Sequence, residues 1–301
     1  MRRSVRLVIV AGAGMAIAAA SERERTISSD GMVAATLNGV PGRVRVDPGA
    51  LGMPLVTADW ASRAKLKPGM IGIGYGIGNV VVAGHTAVAR IDTGDGPERH
   101  RVGWTARPYA AGIDGVVGPG GLAEPVIRFD LRPAGPGERT VAIPMVDGGG
   151  LFGGFGGLFG TLDVDGDPIM VRFDPYHART LATAGAAQRI AAERDGRMNG
   201  ETTPAEIAFG IERPVRSMTL GRPIAIGPLS LTSLGVRTRD FGNAGAIPDA
   251  DARADPDEVV VTAKGKHDRR RDKLSIGADY LSHCSSIVFD KPARVIRLTC
   301  G

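Results

Sequence analysis

One motif occurs twice in this chain of 301 residues, in register. Asn38-Gly39-Val40-Pro41 leads into Val44-Arg45-Val46-Asp47-Pro48. Asp165-Gly166-Asp167-Pro168 leads into Val171-Arg172-Phe173-Asp174-Pro175, with every matched position 127 residues further on. A turn, a strand and a terminal acid rarely coincide by chance. A second match follows. Val116-Val117-Gly118 precedes Val126-Ile127-Arg128-Phe129-Asp130, and Ser275-Ile276-Gly277 precedes Ser286-Ile287-Val288-Phe289-Asp290. Here the glycine-to-glycine offset is 159, so the second copy carries an insertion. The polar stretch at about 243–273 accounts for most of it. A duplicated chain of this kind folds as two related halves.

The texture of each half is β. Glycine (44) and proline (20) punctuate short apolar runs, which suits strands joined by tight turns. Residues 32–47 and 161–174 read as hairpins about Asn38-Gly39 and Asp165-Gly166, dipeptides that favour two-residue turns. Residues 79–91 and 99–105 read as strands about Asp95-Gly96. The alanine-rich run Ala178 to Arg194 predicts the longest helix. The expected organisation is an N-terminal β half at 32–147, a Gly/Phe-rich linker at 148–160, and a C-terminal β half at 161–301 carrying the insert. A barrel or sandwich in each half fits this pattern.

The N-terminus reads as a targeting segment, residues 1–20. Arg2, Arg3 and Arg6 precede an apolar run to Ala20, and Ala18-Ala19-Ala20 before Ser21 suits signal-peptidase cleavage. The run is short for a membrane span, which needs about 20 residues, and no other stretch qualifies. Setting the three arginines aside lowers the formal charge from +5 to +2. The basicity therefore does not point to nucleic acid. A periplasmic or secreted protein is expected. Cys284 and Cys300 flank a hairpin pattern about Asp290-Lys291-Pro292-Ala293, which places them opposite each other and predicts a disulfide in an oxidising compartment.

The chain resembles the pepsin/retropepsin-like aspartic peptidases over roughly residues 32–147 and 161–300. Three elements carry the resemblance, in order: the strand-end acid in Val46-Asp47-Pro48-Gly49-Ala50, the glycine-rich run Met70-Ile71-Gly72-Ile73-Gly74-Tyr75-Gly76-Ile77-Gly78, and Val116-Val117-Gly118 with its counterpart Ile276-Gly277-Ala278-Asp279-Tyr280-Leu281. The resemblance implies a mainly β, bilobal acid-protease fold with two related barrel lobes. It implies Asp47 and Asp174 as a catalytic carboxylate pair sharing one proton. It also implies a flap whose Gly74, Tyr75 and Gly76 lie over a peptide substrate. No metal or other cofactor is called for. The competing expectation is a peptide- or protein-binding pseudo-peptidase of the cell envelope.

The departures are specific. Family members carry threonine or serine after each acid, a hydroxyl that helps lock the two loops together; here Pro48 and Pro175 stand there, without hydroxyl or N–H. Tyr176 replaces the glycine expected in the second loop. Asp92-Thr93-Gly94 spells the family motif but runs into polar residues, so it reads as a hairpin turn. His177 follows the second acid closely and is a candidate partner for it, although a structural histidine is the commoner case. The other histidines lack metal-ligand spacing. In the insert, Glu258-Val259-Val260-Val261-Thr262-Ala263 is a β-prone run that suits addition to a partner as an extra strand.

Overall fold

The computed structural model describes residues 23–149, 156–251 and 271–301. The expected targeting segment, residues 150–155 of the linker and Glu258–Ala263 lie outside these residues. After β1 (Glu24–Ile27), the first half runs β2 (Met32–Leu37), β3 (Val40–Val46), β4 (Leu55–Thr57), α1 (Ala58–Arg63), β5 (Gly72–Ile77), β6 (Val80–Asp92), β7 (Glu98–Thr105), β8 (Gly115–Val117), β9 (Val126–Asp130) and β10 (Arg139–Asp147). The second half runs β11 (Leu158–Val164), β12 (Asp167–Phe173), β13 (Leu181–Thr183), α2 (Ala184–Arg194), β14 (Gly196–Ala208), β15 (Ile211–Ile226), β16 (Leu229–Arg237), β17 (Lys273–Ile276), α3 (Ala278–Leu281), β18 (Cys284–Asp290) and β19 (Val295–Cys300). The protein is mainly β, in two sheets.

The two halves share one strand order. The first sheet is β2-β3-β8-β4-β7-β6-β5, and the second half runs β11-β12-β17-β13-β16-β15-β14. The senses agree as well. β3–β8 and β12–β17 are parallel, β4–β8 and β13–β17 antiparallel, and β4–β7 and β13–β16 parallel. A helix follows β4 and another follows β13.

The local causes can be read from the residues. The β2–β3 and β11–β12 turns use Asn38 (φ 49°) with Gly39 (φ 82°), and Asp165 (φ 57°) with Gly166 (φ 73°). Two successive positive φ values match the twist of the flanking strands, and asparagine, aspartate and glycine adopt them at least cost. Helix α2 begins at Ala184, six residues later than the alanine content predicts. Thr180 explains the delay: its N–H and hydroxyl donate to the Asp279 carboxylate at 2.9 and 2.7 Å, and its hydroxyl accepts from Gly277 N–H. Leu181 and Ala182 then pair with β17.

Strands from both halves interleave beyond these sheets. The larger sheet continues β11-β10-β19-β18-β9-β1. In its centre Ile127 faces Phe289 and Phe129 faces Ile287, so the pairing reads the same from either half. The Phe129 and Phe289 rings meet edge to face at 5.8 Å. Cys284 and Cys300 sit opposite each other on β18 and β19 and form a disulfide. No described helix is long and apolar enough to cross a membrane.

Candidate active site

Asp47 and Asp174 occupy equivalent places. Each follows the strand that ends its hairpin, and each is tied to the neighbouring parallel strand. Asp47 N–H donates to Val117 O at 2.9 Å, and Asp174 N–H to Ile276 O at 2.8 Å. Three residues on, Ala50 N–H returns to Asp47 O at 3.0 Å and His177 N–H to Asp174 O at 3.1 Å. The segments Val116-Val117-Gly118 and Ile276-Gly277 therefore brace the two loops by the same bonds. Both acids are buried, Asp47 at 1% exposure and Asp174 at 7%. They line one cavity of about 310 Å³, together with Arg45, Tyr109, Tyr176, His177 and Glu206.

The electrostatics follow from this burial. Removal from water, and after it the charge of Asp174, pushes Asp47 up to about 6. Arg172, Arg45 and the Gly49 N–H, which donates to Asp47 Oδ1 at 2.8 Å, pull the other way. Burial wins because a carboxylate loses more hydration there than these partners return.

Each acid has an arginine two residues earlier on the same strand, and therefore on the same face. Arg45 Nη2 lies 3.7 Å from Asp47 Oδ2, and Arg172 Nη2 lies 3.0 Å from Asp174 Oδ2. Sequence reasoning passed over both. The signal was in plain view: Val-Arg-Val-Asp and Val-Arg-Phe-Asp repeat the arginine as faithfully as the acid.

Two hairpins meet beside the cavity. In β5, Gly72, Gly74 and Gly76 face outward and are exposed, while Ile73, Tyr75 and Ile77 face inward. Of the residues picked from the glycine-rich run, Tyr75 thus lies on the inner side. Gly74 and Gly76 lie on the outer one, where a side chain at Gly76 would meet nothing within 4 Å. The second hairpin, β14–β15, turns at Phe209 (φ 57°) and Gly210 (φ 65°). Tyr75, Tyr109 and Phe209 contact one another edge to face, with centroids 5.0 to 6.1 Å apart. Phe209 N–H also donates to Tyr109 O at 2.9 Å. This hairpin follows the first at little more than the 127-residue offset, but it lacks the glycine texture that made the first conspicuous.

No family model matches this chain, and no curated protein matches it.

The remaining candidates sit elsewhere or do other work. Asp92 Oδ1 accepts from Gly94 N–H and Gly96 N–H at 2.8 and 3.1 Å, so Asp92-Thr93-Gly94 closes the turn before β7. The His177 ring places Nε2 at 2.8 Å from Glu206 O on β14 and Nδ1 at 2.9 Å from Arg179 O. It thereby links the second acid's loop to the second hairpin. Among the described residues, no group of three or more His, Cys, Asp or Glu is arranged to hold a metal ion.

Proposed function

We propose that this protein is an exported aspartic peptidase of the pepsin/retropepsin-like kind, with Asp47 and Asp174 as its catalytic pair. One observation carries the reading: the two strand-end acids, buried at equivalent positions of two like-ordered sheets, line a single cavity. The shared strand order, the bracing of both loops and the two hairpins that meet beside the cavity support a bilobal acid-protease architecture. The disulfide suits an oxidising compartment outside the cytoplasm.

The chemistry follows from the shared environment. Two neighbouring buried carboxylates do not both ionise cheaply, so the pair keeps one proton over a window of pH. In that state the ionised member takes a proton from water as it attacks the scissile carbonyl. The protonated member donates to the carbonyl oxygen. The two titrations belong to the pair, so neither role is assigned to one residue. With Asp47 pushed up to about 6, the singly protonated pair is depleted above that pH. The ligand is a peptide or protein segment lying under the β5–β6 and β14–β15 hairpins.

The Arg172–Asp174 ion pair favours a second reading, a peptide binder in which an arginine has silenced the carboxylates. One assay separates the two. Purified protein is incubated with a mixed peptide pool from pH 3 to 8, with and without pepstatin, alongside Asp47→Asn and Asp174→Asn. Cleavage that falls as pH rises through about 6 and disappears in both variants is expected. Peptide retention without cleavage at any pH, or cleavage that survives in both variants, would overturn the peptidase reading.

A further inference from the structure

Arg45 and Arg172 each reach from their own half into the loop of the other. Arg172 leaves β12 beside Asp174. Its Nη2 donates to the Tyr109 hydroxyl of the first half at 2.9 Å, and its Nε lies where a Cβ on Gly49 would stand, 2.2 Å from that ideal position. Arg45 leaves β3 beside Asp47, and its guanidinium carbon sits 4.7 Å from the ring centre of Tyr176 in the second half. Gly49 and Tyr176 are equivalent positions, each two residues past its aspartate. The pair of contacts is thus reciprocal but unequal. One arginine needs an empty place to pass through, and the other rests on an aromatic face. This accounts for the tyrosine in the second loop where glycine stands in the first.

We propose that Arg45 and Arg172 are positioning residues that cross-brace the two aspartate loops, in place of the hydroxyls that Pro48 and Pro175 cannot supply. The proposal rests on the peptidase reading for its catalytic meaning, but the bracing and its electrostatic effect belong to the fold. The guanidinium of Arg172 is the stronger brace. It contacts Asp174 at 3.0 Å and Tyr109 at 2.9 Å through one nitrogen, joining a carboxylate of one half to a phenol of the other. Charge-assisted bonds of this kind are shorter and stronger than neutral ones. The charged and titratable groups facing the pair are Arg45, Arg172, Tyr109, Tyr176, His177 and Glu206. Of these, Arg45 and Arg172 are the two that draw the Asp47 titration downward.

The test compares Arg45→Gln with Arg45→Lys, and Arg172→Gln with Arg172→Lys, each first checked for native circular dichroism. Carboxyl ¹³C shifts of the aspartates, resolved against Asp47→Asn, follow the pair's titration without reference to activity. The glutamine variants should move the upper titration to higher pH by about one unit, the size expected for losing a close opposite charge. Lysine should restore most of the shift at position 45. At position 172 it should restore charge but not the cross-half bond, because a single ammonium lacks the planar guanidinium fork. In the peptidase assay, the alkaline limb should move with the titration. An unmoved titration in both glutamine variants overturns the proposal. If the native protein cleaves nothing, the peptidase reading falls, while the carboxyl titrations still decide whether the arginines set the pair. Should Arg172→Gln fail to fold, Arg45→Gln and Arg45→Lys carry the decision.

Discussion

Replacing Asp47 by asparagine should make the protein more stable at neutral pH relative to the native sequence than it is in acid. Asparagine keeps an oxygen for the Gly49 N–H, which bonds Asp47 Oδ1 at 2.8 Å, and removes a buried charge. In the folded protein Asp47 titrates at about 6, against 3.8 for the free side chain. The folded state therefore holds more protons than the unfolded state between these values. Stability from this group is fully present below pH 3.8 and is lost as pH rises through about 6. At about 1.4 kcal/mol per unit, the whole window amounts to about 3 kcal/mol. The asparagine variant has no such loss. Urea unfolding of both proteins at pH 4 and pH 7.5, with equal m values, reads the effect on the carboxylate pair as a difference of differences in which titrating groups remote from the pair cancel. The expected gain for Asp47→Asn is about 2–3 kcal/mol between the two pH values. A difference constant to within about 0.5 kcal/mol, or one of opposite sign, would refute the account of Asp47 as a carboxylate held up by burial and Asp174.

Two further outcomes follow from the same geometry. Gly49→Ala should destabilise the fold by about 1–3 kcal/mol, as overpacking does, because the added methyl lands on Arg172 Nε; Gly76→Ala, whose methyl enters open space, is the matched control in thermal melts and should stay within about 0.5 kcal/mol. Removing the Cys284–Cys300 bridge with paired serines should cost about 3 kcal/mol for a loop of 16 residues, and an unchanged urea midpoint would contradict a stabilising role.

Much of the frame is legible from local chemistry. Asn38-Gly39 and Asp165-Gly166 announce their turns because few other residues accept two positive φ values. The cysteine hairpin is legible from length and turn residues alone, and Cys284 does pair with Cys300. Asp47 and Asp174 stand out because a repeated motif marks them. The arginines beside them escape notice for a physical reason. An arginine alternating with valine in a strand has the pattern of a solvated face, and only the packing of the opposite half encloses it. Tyr176 reads as a defect until Arg45 is found against its ring. The second hairpin escapes for a different reason. The first is recognised by alternating glycine, whereas Glu201-Thr202-Thr203-Pro204-Ala205-Glu206 shares its position and not its composition. The late start of α2 reflects tertiary bonds to Asp279, almost a hundred residues away, which no helix propensity contains.

The central sheet bears on how such a molecule is made and unmade. Strand β9 of the first half lies against β18 of the second, and β19 of the second against β10 of the first. Neither half can leave without stripping a ladder from the other and exposing open sheet edges, which invite aggregation. Unfolding is accordingly expected as one concerted event for the whole chain. Cutting it in the glycine-rich connection would yield fragments that recover a native state only by finding each other again.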